Sequence, residues 1–177
     1  MFTPKTNYAK IAFDTILFFV TTGQIKKASK DKISDDLKLK MACIVSIYDT
    51  KDKLIGQFGD INPQKDSLYE EIVENAIAAS RGNEKFEPIK SDQLNQVKVL
   101  VDVLSSPHKV EDIKELKPHK HGLVIKNDKD YFGYIMPNLK GVKTVDKQIE
   151  ILKSEYNIKE KEWKKIELFY FKSTRYD

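Results

Sequence analysis

Three histidines, one cysteine and a scatter of carboxylates are the side chains of this sequence with the most chemistry to offer. His119 and His121 form an H-x-H pair. Two residues apart on a strand, they would share a face and could grip a metal ion. Zinc needs at least a third ligand, His108 is the remaining histidine, and the carboxylates show no ligand spacing. Solvated histidines beside Pro118 are therefore expected, with no metal site and no cofactor. Cys43 sits between apolar neighbours in a strand-like run, where a thiol behaves as a small hydrophobe, and nothing near it in sequence would lower its pKa. A single cysteine also excludes an internal disulfide, a four-cysteine zinc site and an iron–sulfur cluster held by this chain alone. Trp163, Tyr170 and Phe171 could stack on bases, but they lie in and before an apolar strand, so core packing is expected. No paired carboxylates, Ser-His-Asp order, phosphate loop or dinucleotide fingerprint is recognisable.

Positioning such groups is the task of the regular elements. Tyr8, Ile11, Ala12, Thr15, Ile16 and Phe19 recur at helical spacing, and Phe13, Leu17 and Phe18 add a second apolar face. This predicts a sandwiched core helix closed by Gly23. Its apolar run, residues 11–20, is half the roughly twenty residues of a membrane span and contains Asp14. Residues 26–39 read as a polar loop. Ala42 to Tyr48 and Leu54 to Ile61, joined by a polar turn, read as a β-hairpin. Gly56 and Gly59 inside it could admit a ligand to backbone N–H groups; the favoured reading is a bulge or close backbone approach in an edge hairpin. Ser67 and Glu70 have capping-box spacing and open a helix whose buried stripe includes Leu68, Ile72, Val73, Ala76 and Ile77. Valines alternate from Val97 to Val103, the plainest strand pattern in the chain. Residues 121–126 and 131–136 flank Asn127-Asp128-Lys129-Asp130 as a second hairpin. Thr144 can cap a further helix, and residues 166–171 form a last strand with both faces apolar. Hairpins mixed with isolated helices make the fold class α+β.

Bulk properties narrow the function classes. Apolar residues make up 40% and charged residues 33%, with a net charge of only +4, which favours a folded domain over disorder. The only arginines are Arg81 and Arg175, so the positive charge is almost all lysine mixed among carboxylates. Arginine is the residue of bidentate phosphate and base recognition, so nucleic acid is a possible but not favoured partner. No membrane partner is expected, and a cytoplasmic location fits the cysteine count.

The ordered set of motifs resembles the AMMECR-one family. That family carries L-R-G-C-I-G after a strand and polar turn, then a proline, a helix with an E-N-A core, and D-P-R-F-P-P. The matching stretches are Leu54-Ile55-Gly56-Gln57-Phe58-Gly59 leading to Pro63, Glu74-Asn75-Ala76, and Asn83-Glu84-Lys85-Phe86-Glu87-Pro88. Further on, Val101 to Pro107 resembles the family's strand ending in S-x-P, and residues 121–125 and 133–137 its later hairpin. Gly141 to Gln148 is similar to the G-V-D-T-V-E-E-Q of the bacterial branch, AmmeMemoRadiSam system protein A. The resemblance spans nearly the whole chain, 1–177. It implies a two-lobed α+β fold with antiparallel sheets, helices packed on them and a cleft between lobes. The smaller, hairpin-rich lobe is expected to include 38–63 and 119–142.

The resemblance also implies poorly defined activity and association with Memo-like and radical SAM proteins. It makes Leu54, Gly56, Gln57, Gly59, Glu74, Asn75, Lys85 and Phe86 the candidate cleft residues. The departures bear on catalysis. Ile55 replaces the motif arginine and cannot bind an anion; Gln57 replaces the motif cysteine and cannot act as a thiolate. Lys85 keeps the charge of the next arginine without its planar fork. A non-catalytic accessory protein is expected, with a substrate-holding subunit of a radical-SAM-dependent enzyme and an RNA-associated protein as alternatives.

Overall fold

A computed structural model of the chain describes residues 2–25, 33–127 and 131–177. The α-helices among the described residues are α1 (Asn7–Thr22), α2 (Leu68–Arg81), α3 (Val145–Glu155) and the one-turn α4 (Glu160–Trp163). The strands are β1 (Ala42–Tyr48), β2 (Leu54–Gly59), β3 (Lys98–Leu104), β4 (His108–Lys109), β5 (Gly122–Lys126), β6 (Tyr131–Ile135), β7 (Glu167–Phe171) and β8 (Ser173–Tyr176). They form two compact units, the first from Met1–Val103 with Thr174–Asp177, the second from Leu104–Ser173. The α+β class is the one expected.

In the first unit the sheet order is β2-β1-β3-β8 among the described residues, with β1 and β2 antiparallel. β1 and β3 are mainly apolar on both faces, and every residue of them but Tyr48 and Lys98 is buried, as an interior strand requires. Helix α2 packs on β1, β2 and α1. Its stripe, with Ile72, Val73, Ala76 and Ile77, joins Val45, Ile47, Val99 and Val101 in one core. Each such valine or isoleucine side chain contributes about 1.5–3 kcal/mol on burial. Thr6 caps α1 by accepting from the Ala9 N–H, and Gly23 closes it at φ +70°. The second apolar face of α1 is covered only in part: Phe13 is buried along with Ala9, Ala12 and Ile16, Phe18 is half-buried, and Leu17 is exposed. Ser67 caps α2 as predicted, but the Glu70 carboxylate accepts from the Ser67 hydroxyl.

Long-range ties close this unit. The N–H groups of Lys5 and Thr6 donate to the Asp177 carbonyl, and Tyr8 stacks on Tyr176 with ring centroids 4.2 Å apart. Arg175 of β8 makes a forked pair with the buried Asp102 of β3, at 2.8 to 3.2 Å. A 3-10 turn at Asp35–Lys38 occupies part of the stretch read as loop; residues 26–32 of it lie outside the described residues.

In the second unit the described order is β4-β7-β5-β6, all antiparallel. β7 is interior, as its apolar faces predicted. Helix α3, capped by Thr144, packs on β6 and buries Leu152 against Leu123, Ile125 and Ile135. The β5–β6 hairpin forms as expected, though residues 128–130 of its turn lie outside the described residues. The Ser105 N–H donates to the Lys172 carbonyl at 2.9 Å, and the Lys172 N–H returns to the Ser105 hydroxyl at 3.0 Å. The expectation that 38–63 and 119–142 share a lobe is corrected. β1 and β2 pair into one sheet and β5 and β6 into the other, because each hairpin finds different long-range strand partners.

Candidate functional site

The motif-bearing hairpin carries two closely packed glycines, Gly56 against α2 and Gly59 against β1. A Cβ on Gly56 would lie 2.6 Å from the Ala79 carbonyl oxygen of α2, so the glycine lets the helix backbone settle directly on β2. Gly59 adopts φ +146°, and a Cβ there would stand 2.3 Å from the Cys43 carbonyl oxygen. Both glycines thus serve close approach of protein backbone, the reading favoured from sequence. The bulge in the hairpin falls beside them: Ile47 pairs with Gly56 and Tyr48 with Leu54, leaving Ile55 as the extra residue.

The other central motif residues are also held by the protein itself. Gln57 donates through Nε2 to the Oγ of its cross-strand partner Ser46 at 2.9 Å. Asn75, 5% exposed, donates through Nδ2 to the Cys43 carbonyl at 3.0 Å and also faces the Cys43 Sγ at 3.5 Å. A lone asparagine here bonds backbone of another element, tying α2 to β1. Its neighbour one turn back, Glu71, is 2% exposed. The Glu71 Oε2 accepts from the N–H groups of Gln64 and Lys65 at 2.9 and 2.8 Å, pinning the loop before α2, and its Oε1 accepts from Asn75 at 3.4 Å. Sequence reasoning missed Glu71; its signal is the i, i+4 spacing to Asn75 on one helix face. Cys43 is fully buried, and that burial pushes its thiol up to about 12, the reverse of what a nucleophile needs.

Accessible candidates lie to either side. Glu74 is half-exposed and pairs at 3.8 Å with Lys65 beside Tyr69, in a small pocket of about 250 Å³. Leu54, Ile55, Lys85 and Phe86 line a larger open groove of about 560 Å³, whose far wall runs from Glu87 to Lys90 with Gln93. Asn83 and Phe86 bridge each other, and the Asn83 Oδ1 accepts from the Lys85 and Phe86 N–H groups, shaping this wall. Gly82 permits the turn: it has φ +77°, and a Cβ would meet the Phe86 carbonyl oxygen at 2.5 Å. The Lys90 N–H donates to the Gln93 Oε1 at 2.8 Å. The eight candidates therefore divide: Gly56, Gln57, Gly59 and Asn75 are occupied in packing, Glu74 faces the small pocket, and Leu54, Lys85 and Phe86 gather at the groove.

The histidines stand elsewhere, in the second unit. His119 lies in a turn and His121 just before β5, so the shared strand face expected of H-x-H does not exist. The His121 Nδ1 accepts from the Lys117 N–H at 3.1 Å, and its ring sits 4.9 Å from Tyr170, which His108 approaches at 5.5 Å. Burial, with Lys172, Lys117 and Lys120 nearby, holds the His121 pKa below the usual histidine value. No group of three or more metal-binding side chains assembles among the described residues. Phe171 is fully buried and Trp163 packs at the second core beneath the Lys153 ammonium, 4.8 Å from its ring centre, so neither offers a stacking platform. No helix among the described residues is long and apolar enough to cross a membrane.

Comparison with known proteins places this geometry. The family model described as AMMECR1 matches residues 9–176. A Thermotoga maritima protein is 33% identical over 170 residues, covering 96% of both chains. A Clostridium acetobutylicum protein is 33% identical over 166 residues, but this chain spans only 35% of its length. In structure, the chain is similar to an uncharacterized protein, PH0010, from Pyrococcus horikoshii, with a TM-score of 0.82, 19% identity, and coverage of 95% of this chain and 88% of that one; this likeness is one of fold.

Proposed function

The chain belongs to the AMMECR1 family, and from that premise we propose that it is a non-catalytic accessory domain that binds a partner through the groove at the start of β2, working with Memo-like and radical SAM proteins. The observation that carries this reading is the division among the motif positions. The residues that could have done chemistry are either replaced, as at Ile55 and Gln57, or consumed in holding α2 on the sheet, as at Asn75. The one thiol is buried and hard to ionise. What remains open to solvent is an apolar floor of Leu54, Ile55 and Phe86 with lysines at its rim, a surface suited to recognition.

The test is capture by the tagged protein from its own cells, anaerobically and at low salt, beside a variant carrying Ile55→Glu and Phe86→Ser. The proposal expects a Memo-like or radical SAM protein with the parent and its loss with the variant. Equal recovery by both would remove the groove from the reading. Turnover of any substrate by the isolated protein would overturn its non-catalytic part.

A further inference from the structure

We infer that the occupant of this groove is an extended, acidic segment of a partner protein, alternating carboxylates with aliphatic side chains and added as a strand to the outer edge of β2. The inference rests on the groove reading above and specifies its ligand. Its first support is backbone geometry. β2 is the terminal strand of its sheet, paired on one side to β1. From Leu54 to Phe58, no main-chain group bonds to anything beyond the β1–β2 ladder among the described residues. An edge of this kind is a template for another strand. Phe58, 49% exposed, adds an aromatic on the same strand that has no ring contact among the described residues.

Charge selects the occupant. Lys53, Lys85 and Lys90 line the groove, all exposed, and none has an ion-pair partner among the described residues. Glu87 is the one acidic residue among the lining side chains. The other lining residues are Leu54, Ile55, Phe86, Pro88 and Ile89, all apolar, with Gln93. An added strand presents alternate residues to opposite faces, so one set of side chains can meet an apolar floor while the other meets the ammonium groups. A second copy of this chain is the wrong partner: edge-to-edge pairing would bring two sets of unpaired lysines together, which is how natural edges deter self-association. β2 has six residues, about 20 Å of strand, and that length sets the footprint.

The probe is a fluorescent peptide alternating Glu with Val and matched in length to β2, compared with Lys–Val and Ser–Val counterparts. Fluorescence anisotropy reads affinity, and amide hydrogen exchange reads location. The Glu–Val peptide is expected to bind best, to weaken as salt rises, and to slow exchange at β2 amides. Reversing two exposed charges, Lys85→Glu with Lys90→Glu, should weaken it about tenfold at low salt, each exposed pair being worth roughly two- to fivefold. Equal binding of the three peptides, no binding, slowed exchange only away from β2, or a dimer formed through β2 would each overturn the inference. If the radical SAM or Memo-like protein is captured through the groove while the peptide fails, the proposed function stands and this inference falls; peptide binding without such capture means the reverse.

Discussion

Replacing Asn75 by alanine removes the donor that joins α2 to β1, and the structure gives the size of the loss. The Nδ2 group bonds the Cys43 carbonyl at 3.0 Å, with both residues buried. Leaving a buried acceptor unpaired costs about 1–3 kcal/mol. The void left by the amide, about 30 Å³, adds roughly 0.7 kcal/mol at 24 cal/mol per Å³. Alanine returns up to about 0.7 kcal/mol as the better helix former. The net expectation is a loss of about 1–3 kcal/mol, which at a urea m-value of about 1–3 kcal/mol/M lowers the midpoint by roughly 1 M. The assay must be chosen by unit. Trp163, the only tryptophan, lies in the second unit, so its fluorescence follows the wrong half of the molecule. Far-UV circular dichroism at helical wavelengths is the better probe, since α1 and α2, the two longest helices, are both in the first unit. Gln57→Ala, which removes a half-buried bond to Ser46, should cost only about 0.5–1.5 kcal/mol. An unchanged midpoint for Asn75→Ala, or a larger loss for Gln57→Ala, would refute the assignment of the E-N-A helix to structural support.

Other perturbations test the surroundings. Cys43 should resist iodoacetamide at pH 8 in the native protein and label promptly in urea, read by mass spectrometry, because its thiol is buried and pushed up to about 12. Gly59→Ala should destabilise the first unit by about 3–5 kcal/mol in urea melts, combining backbone strain with the clash at the Cys43 carbonyl. Gly141→Ala, also at positive φ but with nothing within 4 Å of its Cβ, should cost only about 1–2 kcal/mol. The second unit should lose stability as pH falls below about 6.5: the unfolded chain protonates His121 first, because the folded pKa is lowered by burial. Trp163 fluorescence in urea at pH 7.5 and 5.5 reads this, and a His121→Phe variant should show a smaller drop.

What was legible in the sequence was whatever depends on near neighbours. The valine alternation of β3, the Ser67 and Thr144 caps, Gly23 as a C-cap and the apolar stripe of α2 are signals within a few residues, and each appears in the structure. The missed features depend on distant partners. β8 is short and polar; what holds it is Asp102 for Arg175 and Tyr8 for Tyr176. The sequence of α1 carries two apolar faces interrupted by the exposed Lys10 and Asp14, and only tertiary contacts decide how far the second is covered. Spacing alone puts the H-x-H pair on a strand face, where the chain instead makes a turn. At the candidate site, the hairpin glycines read as structural from sequence and pack against backbone, while the groove's far wall, Glu87 to Lys90 with Gln93, has no periodicity to announce it. Asn75 found its partner 32 residues away in sequence.

The order in which the chain is made gives the paired Ser105 and Lys172 a further meaning. β8 completes the first sheet, but it emerges only after all of Leu104–Ser173 has been synthesised. Until then the newborn first unit lacks Arg175 beside Asp102 and has an open flank on β3. Joining β8 to β3 through an unstructured span of roughly 70 residues would carry a large closure entropy. If the inserted unit folds first, its hydrogen-bonded ends shrink that span to a few residues and save about 2–3 kcal/mol, by the logarithmic dependence on loop length. The second unit would then act as a folding clamp in cis, delivering the last strand of its host already aligned. Vectorial synthesis would make the assembly of the first unit contingent on the success of the second.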